Sequence, residues 1–186
     1  LAGVCGERIV VAKRPEDYAA LGLHARFVSD GTEAFHPLAG VAAGLRASRT
    51  DLNFVFTCDA PLLRPELVRR LAAAARGRDA AVPLWAGRAQ PLCAVYDRRC
   101  AAAAETLLRE GSPPCARLLE RLDVRFLSEE EIAVVDREGE SFQDVDTPED
   151  HRRALSSSLP CAGACLRETR ATASVRPPAP RARSAI

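Results

Sequence analysis

Apolar and polar positions alternate along the first half of the chain in two different rhythms. Short runs rich in β-branched residues or Phe, at 9–12, 26–29, 52–57 and 80–84, predict strands. Between them, 37–48 places Leu38, Val41, Ala42 and Leu45 on one helical face, and 65–76 does the same with Leu67, Val68, Leu71 and Ala75. Strands and helices alternating at this spacing predict a parallel sheet with crossover helices. The second half is more mixed. Runs at 80–84 and 90–96 flank Trp85-Ala86-Gly87-Arg88, a predicted hairpin or tight reversal. Helices are predicted at 101–110 and at 115–122, where Pro113-Pro114 pre-sets the start. A strand at 123–127, a short segment at 132–136 and a strand ending in "FQDVD" follow. "TPED" then reads as a helix start, with Thr147 at the N-cap, Pro148 at the first helical position, and Glu149 and Asp150 in the electropositive first turn. Beyond 156 no apolar period is sustained. Residues 1–155 therefore read as one domain and 156–186, rich in Ser, Pro, Arg and Ala, as a disordered tail.

Composition narrows the class. The chain has 186 residues, 47% hydrophobic, with a formal net charge of +1, which suits a single α/β domain with a real core. The arginines are spread among Asp and Glu instead of forming a stripe, so nothing calls for nucleic acid. No apolar run approaches the roughly 20 residues that span a bilayer, and the expected location is cytoplasmic. Seven cysteines, an odd number without CxxC pairs, read as small core residues, and Cys161 and Cys165 lack further partners for a metal. There is no Met, so a processed or shortened start is expected.

Three stretches carry candidate chemistry. In "FVFTCDAPLL" a strand delivers Asp59 at its carboxyl end, the edge where open α/β sheets bind ligands, and Pro61 and Pro65 stiffen the exit. A carboxylate held there suits Mg²⁺ bridging nucleotide phosphates; the alternative is a residue that caps the loop or the next helix. In "FQDVD" strand alternation would put Asp144 and Asp146 on one face, able to share a cation or a polar substrate, with capping by Asp146 as the alternative. In "SDGTEAFHPLAG" Asp30 ends a strand, and Gly40, at a helix start, would permit close approach of a ligand to backbone. His36 reads as a loop or cap residue, and His24 and His151 have no partner that sequence can assign. The motifs of serine hydrolases, zincins and P-loop NTPases do not occur.

Taken together, "IVVAKRPEDYAALG", "HPLAGVAAGL", "TCDAPLLRPELVRRL", "GRAQPLCAVYDRRC" and "SFQDVDTPEDHRRA" resemble the molybdenum cofactor guanylyltransferase family over roughly residues 5–155. "PLAG", "CDAP" and "TPED" are fairly specific as a set and weak singly. The chain opens "LAGVCGERIVVAK", which could pass for a phosphate loop with Arg8 and Lys13. The resemblance instead sets "IVVAK" on the family's second strand, and a β-branched run suits a strand where a phosphate loop wants glycines. The family's glycine-rich loop, its lysine and its first strand would then lie upstream of Leu1.

The resemblance implies a Rossmann-like three-layer α/β nucleotidyltransferase fold with a mostly parallel sheet, N-terminally truncated. It implies transfer of GMP from GTP to molybdenum-molybdopterin with release of pyrophosphate, aided by Mg²⁺. Asp59 would bind the metal and act in catalysis, and Asp30, Gly40 and Asp59 would bind nucleotide. Asp144 and Asp146 would face the pterin substrate or the metal side. Transient contact with molybdoenzyme maturation proteins is a further expectation. The family commonly carries asparagines where Asp144 and Asp146 stand, and aspartates are typical of the related cytidylyltransferase. Other readings are cytidylyl transfer, transfer to a sugar phosphate, a non-catalytic remnant, or a fragment unable to fold alone.

Overall fold

The computed structural model describes residues 3–32, 36–111, 113–145, 147, 149, 150 and 152. The expected tail, 156–186, lies outside the described residues, as do Asp146, Pro148 and His151. In chain order the elements are β1 (Ile9–Val11), β2 (Arg26–Val28), α1 (Pro37–Ala47), β3 (Leu52–Phe56), α2 (Pro65–Ala74) and β4 (Ala80–Trp85). They continue with β5 (Arg88–Ala89), β6 (Cys93–Asp97), α3 (Cys100–Arg109), α4 (Ala116–Leu119), β7 (Val124–Leu127) and α5 (Glu129–Ala133). Single 3₁₀ stretches occupy Pro15–Leu21 and Glu140–Phe142.

Both faces of the main sheet are covered, which is why "AAVP" in β4 is buried without a break. Alternate residues serve opposite layers. Ala80, Val82, Ala94 and Tyr96 join Leu38, Val41 and Leu45 of α1 and Ala104 and Leu107 of α3 in one core. Ala81, Cys93 and Val95 join Leu67 and Leu71 of α2 and Ile132 of α5 in the other. Period two in the strands and period 3.6 in the helices thus build helix, sheet and helix layers. Tyr96 is fully buried and donates its hydroxyl to the Pro91 carbonyl at 2.8 Å, so its polar tip stays satisfied.

β3, β4 and β7 point the same way, in keeping with a mostly parallel arrangement, but β6 enters between β3 and β4 in the opposite sense. The cause is the short return after β4. Ala86 (φ 50°) and Gly87 (φ 70°) form a tight reversal with two left-handed residues, and β5 pairs back on Trp85. A return this short cannot supply the crossover a parallel neighbour needs. β6 begins at Cys93, later than the apolar run suggests, because Cys93 N–H closes a turn on the Gln90 carbonyl at 3.1 Å.

β1 and β2 form their own parallel pair, with Val10 opposite Phe27. The "IVV" of "IVVAK" is therefore a strand. No ladder joins β1 to β3 among the described residues. The pair is tied to the rest through α1. A Cβ on Gly44 would stand 3.4 Å from Val11, the Arg26 guanidinium donates to the Ala47 carbonyl, and Glu7 accepts from Arg26 at 2.9 Å.

Two expectations near the C-terminal end are corrected. The segment 132–136 does not stand alone: Ile132 and Ala133 finish α5, which starts at a capping box in which Ser128 and Glu131 bond reciprocally. The strand ending in "FQDVD" does not form. Glu140–Phe142 is a 3₁₀ turn and Gln143 to Val145 pair with no strand, because Asp136 draws the N–H groups of Glu140 and Ser141 around its carboxylate. Without that strand, pleat alternation no longer assigns a face to Asp144.

Candidate functional site

β3 ends at Phe56, and Cys58 and Asp59 form a turn at its carboxyl edge. Ala60 is buried behind them and anchors the turn, while Asp59 is exposed. Among the described residues the Asp59 carboxylate makes no hydrogen bond or ion pair, so its capping role is not realised. The Asp59 carbonyl accepts the backbone N–H of Val145 at 2.8 Å. That bond lays the segment carrying Asp144, itself exposed, alongside the Asp59 turn. The two carboxyl-bearing segments are thus brought together by main chain. Asp146 lies outside the described residues.

Sequence reading missed what holds this junction. Arg64, the N-cap residue of α2, donates its backbone N–H to Ser141 Oγ at 3.0 Å. Its side chain reaches Asp136 Oδ1 at 3.5 Å and also pairs with Glu140. Asp136 is fully buried, and accepts from Glu140 N–H at 3.0 Å and Ser141 N–H at 2.9 Å. Beyond it, Phe142 stacks on Trp85 with ring centroids 5.4 Å apart. The available signal was "DREGES", an acid followed by a Gly-centred turn, which apolar periodicity ignores.

Asp30 sits at the end of β2, and Lys13, which follows β1, reaches it. Lys13 Nζ lies 3.2 Å from Asp30 Oδ2, 2.8 Å from the Thr32 carbonyl and 3.0 Å from Thr32 Oγ1. Burial alone would raise the Asp30 pKa, but Thr32 N–H at 3.1 Å and the Lys13 ammonium hold it below its ordinary 3.8. Lys13 is thus the partner of Asp30. Gly40 lies in the first turn of α1, and a Cβ there would meet nothing within 4 Å. Asp30, Gly31 and Thr32 border a cleft of about 380 Å³ against Ala39 and Ala43 of α1. Asp59 does not line it.

A neighbouring cleft of about 390 Å³ shares Arg46 and Glu105 with the first and lies beside Asp51 and Asp97, which flank the start of β3 and end β6. Two of its three arginines are already paired, Arg46 with Glu105 at 2.5 Å and Arg99 with Asp79 at 2.8 Å, as on a solvated ionic surface. Among the described residues no three His, Cys, Asp or Glu gather as a metal cluster. Mg²⁺ with a nucleotide needs only one or two carboxylates besides phosphate oxygens, fewer than such a cluster. Cys93 and Cys100 are core thiols whose pKa burial pushes up to about 12, whereas Cys58 is exposed beside Asp59. No described helix is long and apolar enough to cross a membrane.

The MobA-like NTP transferase domain family matches residues 1–139. A molybdenum cofactor guanylyltransferase of Desulfosudis oleivorans is 32% identical over 152 residues, 81% of this chain and 74% of that protein. A probable molybdenum cofactor guanylyltransferase of Methanosarcina mazei is 37% identical over 127 residues, 67% of this chain and 57% of that protein. The chain therefore spans little more than half the length of that second relative. Among solved structures, the molybdopterin-guanine dinucleotide biosynthesis protein A of Archaeoglobus fulgidus superposes with a TM-score of 0.68 at 27% identity, covering 81% of this chain and 79% of that one. The 2-C-methyl-D-erythritol 4-phosphate cytidylyltransferase of Thermus thermophilus superposes with a TM-score of 0.59 at 22% identity, covering 82% of each chain, a likeness of fold.

Proposed function

The chain belongs to the MobA-like NTP transferase family, with the three-layer α/β nucleotidyltransferase fold, and from that premise we propose that it transfers GMP from GTP to molybdenum-molybdopterin. The observation that carries the proposal is the junction of the Asp59 turn with the Asp144 segment at the carboxyl end of β3. Two segments that each carry an exposed aspartate meet there, on the edge where α/β sheets bind ligands. The terminal phosphate of the pterin attacks the α-phosphorus of GTP and pyrophosphate leaves, so no protein nucleophile is required. Residues of this chain contribute by orienting the two phosphates.

Asp59 and Asp144 would hold Mg²⁺, which when bound neutralises charge developing on the phosphate oxygens. Asp30, fixed by Lys13 and Thr32, presents an ionised carboxylate to the nucleotide. Gly40 leaves α1 open for close approach by base or ribose. Asp146 would join Asp144 on the pterin side. On this reading residues 1–155 are the working domain and the reaction runs in the cytoplasm, with transient contact with molybdoenzyme maturation proteins.

Cytidylyl transfer is the second reading, favoured by the aspartate at position 144. Calorimetric titration with Mg-GTP and separately with Mg-CTP, followed by turnover assays with the pterin, decides between them. Selective GTP binding with turnover supports the guanylyl assignment. CTP preference replaces it with the cytidylyl one, and binding of neither nucleotide overturns both.

A further inference from the structure

We propose that Asp136 is a positioning residue, which seats the segment bearing Asp144 on the Asp59 turn so that both carboxylates face one ligand; this rests on the function proposed above. A buried carboxylate is costly unless compensated, and the compensation at Asp136 is directional. Two of its three partners, the N–H groups of Glu140 and Ser141, lie just ahead of Asp144. The third, the Arg64 side chain, lies just after the Asp59 turn. Arg64 then returns to the same segment through Ser141 Oγ, across a separation of 77 residues. The carboxylate is therefore a common fastening of two segments that also meet at the Val145 to Asp59 hydrogen bond, at Ser141 Oγ and at the Arg64–Glu140 pair.

A neutral cap could close a 3₁₀ turn, but a neutral cap would not also bind a guanidinium from another element. The arrangement suits a joint that must hold two acidic segments close against their own repulsion. A misplacement of about 1 Å at such a junction can cost about a hundredfold in rate.

The test compares the full chain with D136N, S141A and R64A, and reads hydrogen exchange amide by amide. The expected result is exchange at the Val145 amide about tenfold faster in D136N and S141A, with the amides of β4 and β6 unchanged, the mark of local opening rather than global loss of stability. Emission from Trp85, the only tryptophan, should shift to the red as Phe142 loosens from it. Where the chain turns over nucleotide, kcat should fall about a hundredfold with KM for the nucleotide nearly unchanged. Unaltered Val145 protection in both D136N and S141A overturns the proposal, as does a loss of protection spread evenly over β4 and β6. Native-like Val145 protection in the parent chain with no turnover of GTP or CTP would instead sink the assigned function, leaving the fastening to be judged by exchange alone.

Discussion

Val145 donates its backbone N–H to the carbonyl of Asp59 at 2.8 Å, joining two acidic segments far apart in the chain. If their carboxylates serve one ion, their removal should not be additive. D59A is expected to lower kcat/KM by about a hundredfold or more, in line with the several kcal/mol a metal contact supplies. D144A should cost less, and the double variant little more than D59A alone. Because Asp59 is exposed and makes no side-chain bond among the described residues, the melting temperature of D59A should barely move. Fully additive losses in steady-state assays would show two independent roles.

The Lys13–Asp30 pair makes a prediction about pH. The folded-state pKa of Asp30 is depressed below 3.8, so its contribution to stability is fully present above that value and is lost as pH falls through the folded pKa. Asp79 behaves alike, held down by the Asp123 N–H against burial and helped by Arg99. Carbon-13 NMR titration should find the Asp30 carboxyl below its ordinary range in the parent chain and higher in K13M. An unchanged titration in K13M would show that Thr32 alone sets it.

Gly139 cannot be replaced cheaply. Its φ is 65°, and a Cβ would fall against Cε2 and Cζ2 of Trp85, inside the ring's own volume. G139A is expected to lose about 2–5 kcal/mol, combining a left-handed backbone penalty with overpacking. Denaturant unfolding followed by Trp85 emission reads both the stability and the displaced ring. A loss under about 1 kcal/mol would mean that the Trp85–Phe142 stack shifts freely to accommodate the methyl group.

The layers were legible because apolar spacing is decided by burial. Leu38, Val41 and Leu45 on one helix, and Ala80 to Val82 in a strand buried on both faces, could not repeat otherwise. Asp59 was legible too, since a strand followed by a Pro-stiffened turn fixes where its carboxylate stands. What escaped was polar and non-local. Lys13 finds Asp30 only once β1 and β2 pair, and Asp136 finds Arg64 only once α2 and α5 share a core. The strand expected at "FQDVD" failed for the same reason: a buried carboxylate outcompeted β propensity for the N–H groups of Glu140 and Ser141. The reversal at Trp85–Arg88, by contrast, was legible, and left-handed residues at 86 and 87 make the return too short for a crossover.

Gly40 separates folding from binding most cleanly. It sits in α1 with an ordinary helical backbone, and a Cβ there would touch nothing within 4 Å. Neither conformation nor packing calls for glycine, which in a helix costs roughly 0.5–1 kcal/mol relative to alanine. G40A should therefore raise stability by about that amount in denaturant unfolding. If the nucleotide lies against this turn, the added methyl group occupies its space, and affinity for Mg-GTP by calorimetry should fall about tenfold or more. A variant that is more stable and binds as before would take Gly40 out of the site. A variant that is more stable and binds worse would place the nucleotide on this face of α1, since a damaged fold could not explain the loss.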